Sequence, residues 1–352
     1  MMPKHVVSIV FFCLLITLPI GLFINARAQK TSTKPQDDKK AVPSDYRISG
    51  PYTHKNLTVF LVHGKDLLPG RNFLTLQEAL AQKKVRVYET KDVNELAIQN
   101  FSTQDVYVQA GDIVRGGDQD RMISIDFIVP PRSGRMPIAA FCVESGRWSR
   151  RGAEQSAYFS SSENAASTKG LKLAAKGAGS QEAVWANVSA AQDKLSKNVS
   201  EVVAVSASPT SLELSVESDK VKETTAAYIN ALNGILRNRT DVIGFAFAIN
   251  GKVNSADVYA SHALFAKLWP KLLKATATEA LAELDQHTNA EPVASETINA
   301  FLTDSEQPKP KAKDVTQRVK VVTREDDNNI FFETQDRREK DAWVHRNYIR
   351  KQ

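Results

Sequence analysis

The chain has 352 residues, with 46 Lys and Arg against 40 Asp and Glu, a formal net charge of +6 and 42% hydrophobic residues. Acids and bases are interleaved throughout instead of being gathered on one stripe, which argues against a nucleic-acid partner. Two cysteines, Cys13 and Cys142, are too few for a disulfide scaffold, so the fold must rest on its core.

Residues 1–28 read as a cleavable export signal. Lys4 gives a positive start, Val6 to Phe23 is almost wholly apolar, and Ala26 and Ala28 bracket Arg27 in an A-x-A pattern, with cleavage expected after Ala28. Pro19 and Gly21 near the end of the run favour cleavage over an uncleaved anchor. No stable membrane anchor is then expected, and the protein is expected in the periplasm or outside the cell. Loss of Lys4 and Arg27 takes the formal charge from +6 to +4.

Residues 29–45 mix Lys, Asp, Pro and Ser with few apolar side chains and are expected to be a disordered leader. A main domain is expected over 46–303. Its first half shows short β-type runs at Leu57 to Val62, Val85 to Tyr88, Leu96 to Gln99, Val106 to Gln109, Met122 to Val129 and Ile138 to Val143. One helix interrupts them from Thr75 to Gln82, with Thr75 and Glu78 at capping-box spacing. Residues 149–180, rich in Ser, Ala, Gly and Lys, are expected to form a long mobile surface segment.

Helical spacing then appears at Gln181 to Leu195 and Val221 to Arg237. Val242 to Ile249 and Val253 to Tyr259 flank Asn250-Gly251, a strong hairpin signal. Ser261 is placed to cap a helix through Leu264, Leu268 and Leu272, in which Pro270 predicts a kink or a fresh start near Trp269. Residues 304–314 have the Pro and Lys content of a linker. A small β-hairpin tail is expected over 315–352, from Val319 to Thr323, Ile330 to Thr334 and Trp343 to Ile349. Strand blocks followed by helix blocks predict an α+β fold, with a β-rich antiparallel N-terminal half packed with helices and a hairpin from the C-terminal half.

The string Gln109-Ala-Gly-Asp-Ile-Val-Arg-Gly-Gly-Asp-Gln-Asp-Arg121, followed by Val129-Pro-Pro and Phe141-Cys-Val-Glu-Ser-Gly-Arg-Trp148, resembles the ARG and rhodanese-phosphatase-superfamily-associated protein domain, a bacterial family of unknown function. The likeness extends over about residues 46–303, and the piece Trp343-Val-His-Arg-Asn-Tyr348 is similar to a companion of that domain. The resemblance implies a family but no reaction.

Two polar clusters are candidates for chemistry. One is the glycine-marked connection carrying Gln109, Asp112, Asp118, Gln119, Asp120 and Arg121; the other is the turn with Cys142, Glu144, Arg147 and Trp148. An Arg121 ion pair tying two strands, or a Glu144 to Arg147 pair closing a turn, accounts for the same residues structurally. As a site, Gln109, Asp112, Gln119, Asp120, Arg121, Glu144, Arg147 and Trp148 form one candidate polar pocket. It serves either an exported domain that binds a small ligand or a protein partner, or a hydrolase using Asp112, Asp120 or Glu144 as base with Arg121 or Arg147 holding an anion. No histidine lies at a family-type spacing from Cys142, and there is no H-x-H, H-E-x-x-H or C-x-x-C pattern, so neither a metal nor a cofactor is expected.

Overall fold

The computed structural model describes residues 46–166, 168–285, 291–340 and 342–352. The expected signal peptide and leader lie outside them. Chain order gives β1 (Arg47–His54), β2 (Leu57–His63), β3 (Leu74–Thr75), α1 (Leu76–Ala81), β4 (Val85–Asp92), β5 (Glu95–Asn100), β6 (Val106–Val108), β7 (Asp112–Gly116), β8 (Arg121–Ile123), β9 (Phe127–Val129), β10 (Met136–Cys142) and β11 (Tyr158–Ala165). Then come α2 (Lys169–Lys172), α3 (Gln181–Val199), α4 (Leu212–Val216), α5 (Asp219–Leu232), β12 (Val242–Ile249), β13 (Lys252–Tyr259), α6 (His262–Ala282) and α7 (Ser295–Ser305). The last strands are β14 (Lys311–Asp314), β15 (Val319–Glu325), β16 (Asn329–Asp336) and β17 (Ala342–Arg350).

These elements form an α+β fold with a β-rich N-terminal half. β4, β5, β7, β8, β10 and β11 close into a barrel in the order β10-β5-β4-β11-β7-β8. An eight-stranded antiparallel sheet runs β1-β2-β12-β13-β17-β16-β15-β14, so strands from both ends of the chain lie in it. A small sheet, β3-β6-β9, joins β3 and β6 in parallel.

Every residue of β12 is buried, because helices cover the sheet on both sides. Phe245 and Phe247 pack toward Phe265, Leu268 and Trp269 of α6, while Ala246 and Ala248 face Ile298 and Phe301 of α7. That two-sided burial is why β12 reads as an unbroken apolar run. At Gly244 a Cβ would lie 2.4 Å from the Asp257 carbonyl oxygen, so β12 and β13 approach more closely than any larger residue permits. Their turn is Asn250-Gly251, both with positive φ, as the right-handed twist of a two-residue hairpin loop requires.

The α1 cap forms as expected: the Glu78 amide donates to Thr75 Oγ1 at 3.1 Å, and the Thr75 amide to Glu78 Oε2 at 2.9 Å. Four expectations are revised. The run Met122 to Val129 is two strands, β8 and β9, broken where Asp126 turns in to take the Ala110 amide at 2.6 Å. Residues 149–180, expected as a mobile segment, include β11, a member of the barrel. Its inward Ser162 and Asn164 are buried on bonds to Glu213 and Glu217, and these small polar side chains mask the strand in the sequence. α6 runs unbroken through Pro270, so no fresh helix starts there. The ~3 kcal/mol cost of an internal proline is offset by buried Leu264, Phe265, Leu268 and Trp269 before it and Leu272 and Leu273 after it. Residues 304–314, expected as a linker, comprise the end of α7 and the exposed edge strand β14.

Candidate functional site

The eight residues singled out in the sequence fall in separate places. Asp120 and Glu144 are fully buried and meet at one clasp. Arg151 donates to Asp120 Oδ2 at 3.0 Å and Oδ1 at 3.2 Å, and Arg147 lies 2.8 Å from Glu144 Oε2 and 3.4 Å from Asp120 Oδ1. The Gly116 amide donates to Asp120 Oδ1, the Asp120 amide to Glu144 Oε2, and the Ser208 hydroxyl to Glu144 Oε1. Burial and the neighbouring Glu144 push the Asp120 carboxyl above its ordinary range against the pull of Arg151. Glu144 is held low: burial opposes ionisation, but Arg147 and Ser208 outweigh it. Each carboxylate oxygen takes two or more donors, which fills the roughly four lone-pair positions of each group.

Arg121, also buried, points elsewhere. It donates to the Asp92 and Val93 carbonyls at 3.1 and 2.7 Å and lies 3.4 Å from Glu89, tying β8 to the β4–β5 turn. Gln119 is fully buried, and neither amide atom has a partner among the described residues. Trp148 is 59% exposed. Asp112 sits at the far end of β7 from Gly116, roughly 13 Å along a five-residue strand, and pairs with Lys271 at 2.6 Å. Beside Asp112, Gln109 accepts the Tyr259 hydroxyl at 2.9 Å and reaches a different site.

That site lies on the inner face of the large sheet. Strand register sets Tyr259 of β13, His345 of β17 and Thr334 of β16 in one row, with Asp257, Asn347 and Phe332 in the row two residues along. His345 is fully enclosed between two carboxylates: Nδ1 is 2.7 Å from Asp126 Oδ2 and Nε2 is 3.0 Å from Asp257 Oδ1. Burial alone would lower the imidazole pKa, but Asp126 and Asp257 raise it above its ordinary value. Both carboxyls are in turn held below theirs. For Asp126, Lys176 and His345 overcome the effect of burial; for Asp257, His345 does so, helped by Lys172 and Lys176. With a carboxylate oxygen at each ring nitrogen, the doubly protonated imidazole is favoured, and neither nitrogen is free to act as a base.

The Tyr259 ring stacks on His345 with centroids 4.4 Å apart, and the Tyr107 ring meets both edge-on. The Tyr107 hydroxyl is buried without a partner among the described residues, and burial drives its pKa well up. Across this face runs α2, continued by a π-helical stretch Leu173–Ala178, a rare geometry frequent at functional sites. It carries Lys172 and Lys176. Beneath it is a cavity of about 30 Å³, with Gln109, Lys172, Lys176, Asp257, His345 and Asn347 in its walls. Ser124, Ala175 and Lys176 also line a groove of about 460 Å³, whose apolar wall is built from Ile125, Phe141, Val321 and Phe332.

Of the eight sequence candidates, Gln109 alone lines this cavity. Composition could not single out His345, Asp126, Asp257, Lys172 and Lys176, which are far apart in the chain. The readable signals were local: a His-x-Asn alternation inside the strand-like piece at 343–348, and two lysines four residues apart in a glycine- and alanine-rich stretch.

No curated protein and no solved structure matches the chain. Residues 45–349 match the family described as ARG and Rhodanese-Phosphatase-superfamily-associated Protein domain. The matched span takes in the clasp, the cavity and the groove, and the chain belongs to this family.

Proposed function

We propose that the protein is an exported domain that binds a small ligand in the groove and cavity beside Lys176, without acid–base catalysis by His345. The observation that carries the binding reading is the pairing of a groove of about 460 Å³ with a polar cluster of shifted ionisable groups at its floor, Asp126 being common to both. Apolar walls with a few convergent polar groups are the usual form of a small-molecule site. Export is supported by the pattern of residues 1–28. Among the described residues no helix is long and apolar enough to cross a membrane.

A hydrolase built on Asp112, Asp120 and Glu144 is the weaker reading. Asp112 is paired with Lys271 away from the other two, and the oxygens of Asp120 and Glu144 are already filled by arginine, hydroxyl and amide donors. A water nucleophile would find no acceptor there.

The test is a thermal-denaturation screen of the purified protein against divalent metals, nucleotides, sugars and small carboxylates, with Ala139→Trp as a blocked groove. Ala139 is exposed on β10 and lines the groove. A ligand at ~100 times its dissociation constant adds about 2.7 kcal/mol. A class that raises Tm in the wild type but not in Ala139→Trp supports the reading. No shift with any class, or equal shifts in the blocked variant, refutes it. Intact-mass analysis of the exported fraction tests the signal: a chain beginning at Gln29 is expected, and one retaining Met1 would count against cleavage.

A further inference from the structure

Lys172 and Lys176 are one helical turn apart and both reach the inner cavity, yet neither forms an ion pair among the described residues. Lys172 Nζ lies over the Phe247 ring at 5.7 Å, and Lys176 Nζ lies over Phe332 at 5.0 Å while donating to the neutral Asn347 Oδ1 at 3.1 Å. Two of the nearby carboxylates are committed elsewhere, Asp126 to His345, Thr334 and the Ala110 amide, and Asp257 to His345 and Asn347; the third, the buried Glu279 near Lys172, takes the Lys169 amide and Asn254 on Oε1. An ammonium has three donors, so Lys176 keeps two uncommitted and Lys172 all three. Two half-buried cations with spare donors line the small cavity, and Lys176 also stands where that cavity meets the groove; together they form a site for an anion.

Resting on the binding reading above, we propose that the ligand is a monocarboxylate with an apolar body. Its carboxylate is taken by Lys172 and Lys176 at the cavity, and its body lies in the groove against Ile125, Phe141, Val321 and Phe332. Oxygen number and charge separate a carboxylate from a phosphoryl head: two oxygens and one charge against three oxygens and close to two charges. The imidazolium of His345 offsets one of the two buried aspartates. With Lys172 and Lys176 counted against the remaining aspartate and the buried Glu279 near Lys172, the charges balance before the ligand arrives, so a head with one negative charge is less costly to bury than a phosphoryl head with nearly two.

The experiment is isothermal titration of the purified protein with octanoate, octyl phosphate, octylamine and 1-octanol, all below micellar concentrations. It is repeated on Lys176→Met, Lys172→Met, Lys176→Arg and the groove-blocked Ala139→Trp, with urea midpoints showing that each variant is folded. Octanoate should bind at least tenfold more tightly than the other three. Lys176→Met and Lys172→Met should each lose that advantage, Lys176→Arg should keep most of it, and Ala139→Trp should lose binding of every probe. Equal binding of octanol and octanoate that Ala139→Trp abolishes would leave the groove as a binding site and overturn the carboxylate assignment. Preference for octyl phosphate or octylamine would overturn it as well, as would octanoate binding unchanged in Lys176→Met. Binding that Ala139→Trp does not affect would instead remove the groove reading itself.

Discussion

Replacing His345 with Gln isolates the energetics of the buried core of the site. Glutamine fills a similar volume and can donate to one aspartate, but it removes the positive charge shared by Asp126 and Asp257, both fully buried. Breaking a buried pair by removing one partner costs about 3–5 kcal/mol, because the remaining charge stays uncompensated. With a urea slope of about 3 kcal/mol/M, suited to a chain of this size, the midpoint should fall by roughly 1–2 M. The pH dependence has a definite sign. His345 is raised in the folded state, so its contribution is complete below the unfolded value of about 6.5 and is lost as pH rises through the folded value. Over that window the wild type should lose up to about 1.4 kcal/mol per pH unit relative to His345→Gln. Paired urea titrations from pH 6 to pH 9 read this difference directly. A gap that stays constant, or widens with pH, would refute a charged His345 between two carboxylates.

Three further substitutions and one labelling experiment probe the rest of the fold. Arg151→Met leaves Asp120 and Glu144 with Arg147 alone among the arginines of the clasp; a loss of about 3 kcal/mol or more in urea unfolding is expected, and a loss under 1 kcal/mol would mean the clasp is solvated. Thr75→Ala removes the α1 capping box and should cost ~1 kcal/mol in the same assay. Gly244→Ala places a methyl group 2.4 Å from the Asp257 carbonyl oxygen; we expect a loss of about 3 kcal/mol or more, visible as a lower soluble yield and melting temperature. The Cys142 thiol is buried and pushed up to about 11, so at pH 8 only on the order of one molecule in a thousand carries the thiolate. Iodoacetamide should leave the native protein unmodified over hours and label it promptly in urea.

What the sequence disclosed follows from how locally each feature is specified. The Thr75 cap, the Asn250-Gly251 hairpin and the tail strands need only neighbouring residues, and their patterns survive in the chain as written. β11 stayed hidden because its inward positions are small polar residues made tolerable by Glu213 and Glu217, some 50 residues later. The dense polar string from Gln109 to Arg121 drew attention for a sound reason, since so many charges in a short span need partners. The partners turned out to be long-range: Arg151 for Asp120, Lys271 for Asp112, the Asp92 and Val93 carbonyls for Arg121. The cavity was illegible because no single segment contains it; Asp126, Lys176, Asp257 and His345 become neighbours only when the large sheet meets the barrel.

The place of His345 also bears on how the chain's last strands are to be understood. β17 pairs with β13 on one side and β16 on the other, so it is an interior strand of the large sheet. Through His345 and Asn347 it supplies two walls of the cavity. A second tie runs from the same segment: Arg318 bonds Asp336 and reaches back to Asp105, just ahead of β6, and Arg71 joins the same two aspartates. Removing 315–352 would therefore expose one edge of β13 over Ser255 to Tyr259 and leave Asp126 and Asp257 as buried carboxylates without the His345 ring between them. In this chain the tail contributes to the core and to the candidate ligand site at once, so loss of folding and loss of binding on truncation have one physical cause.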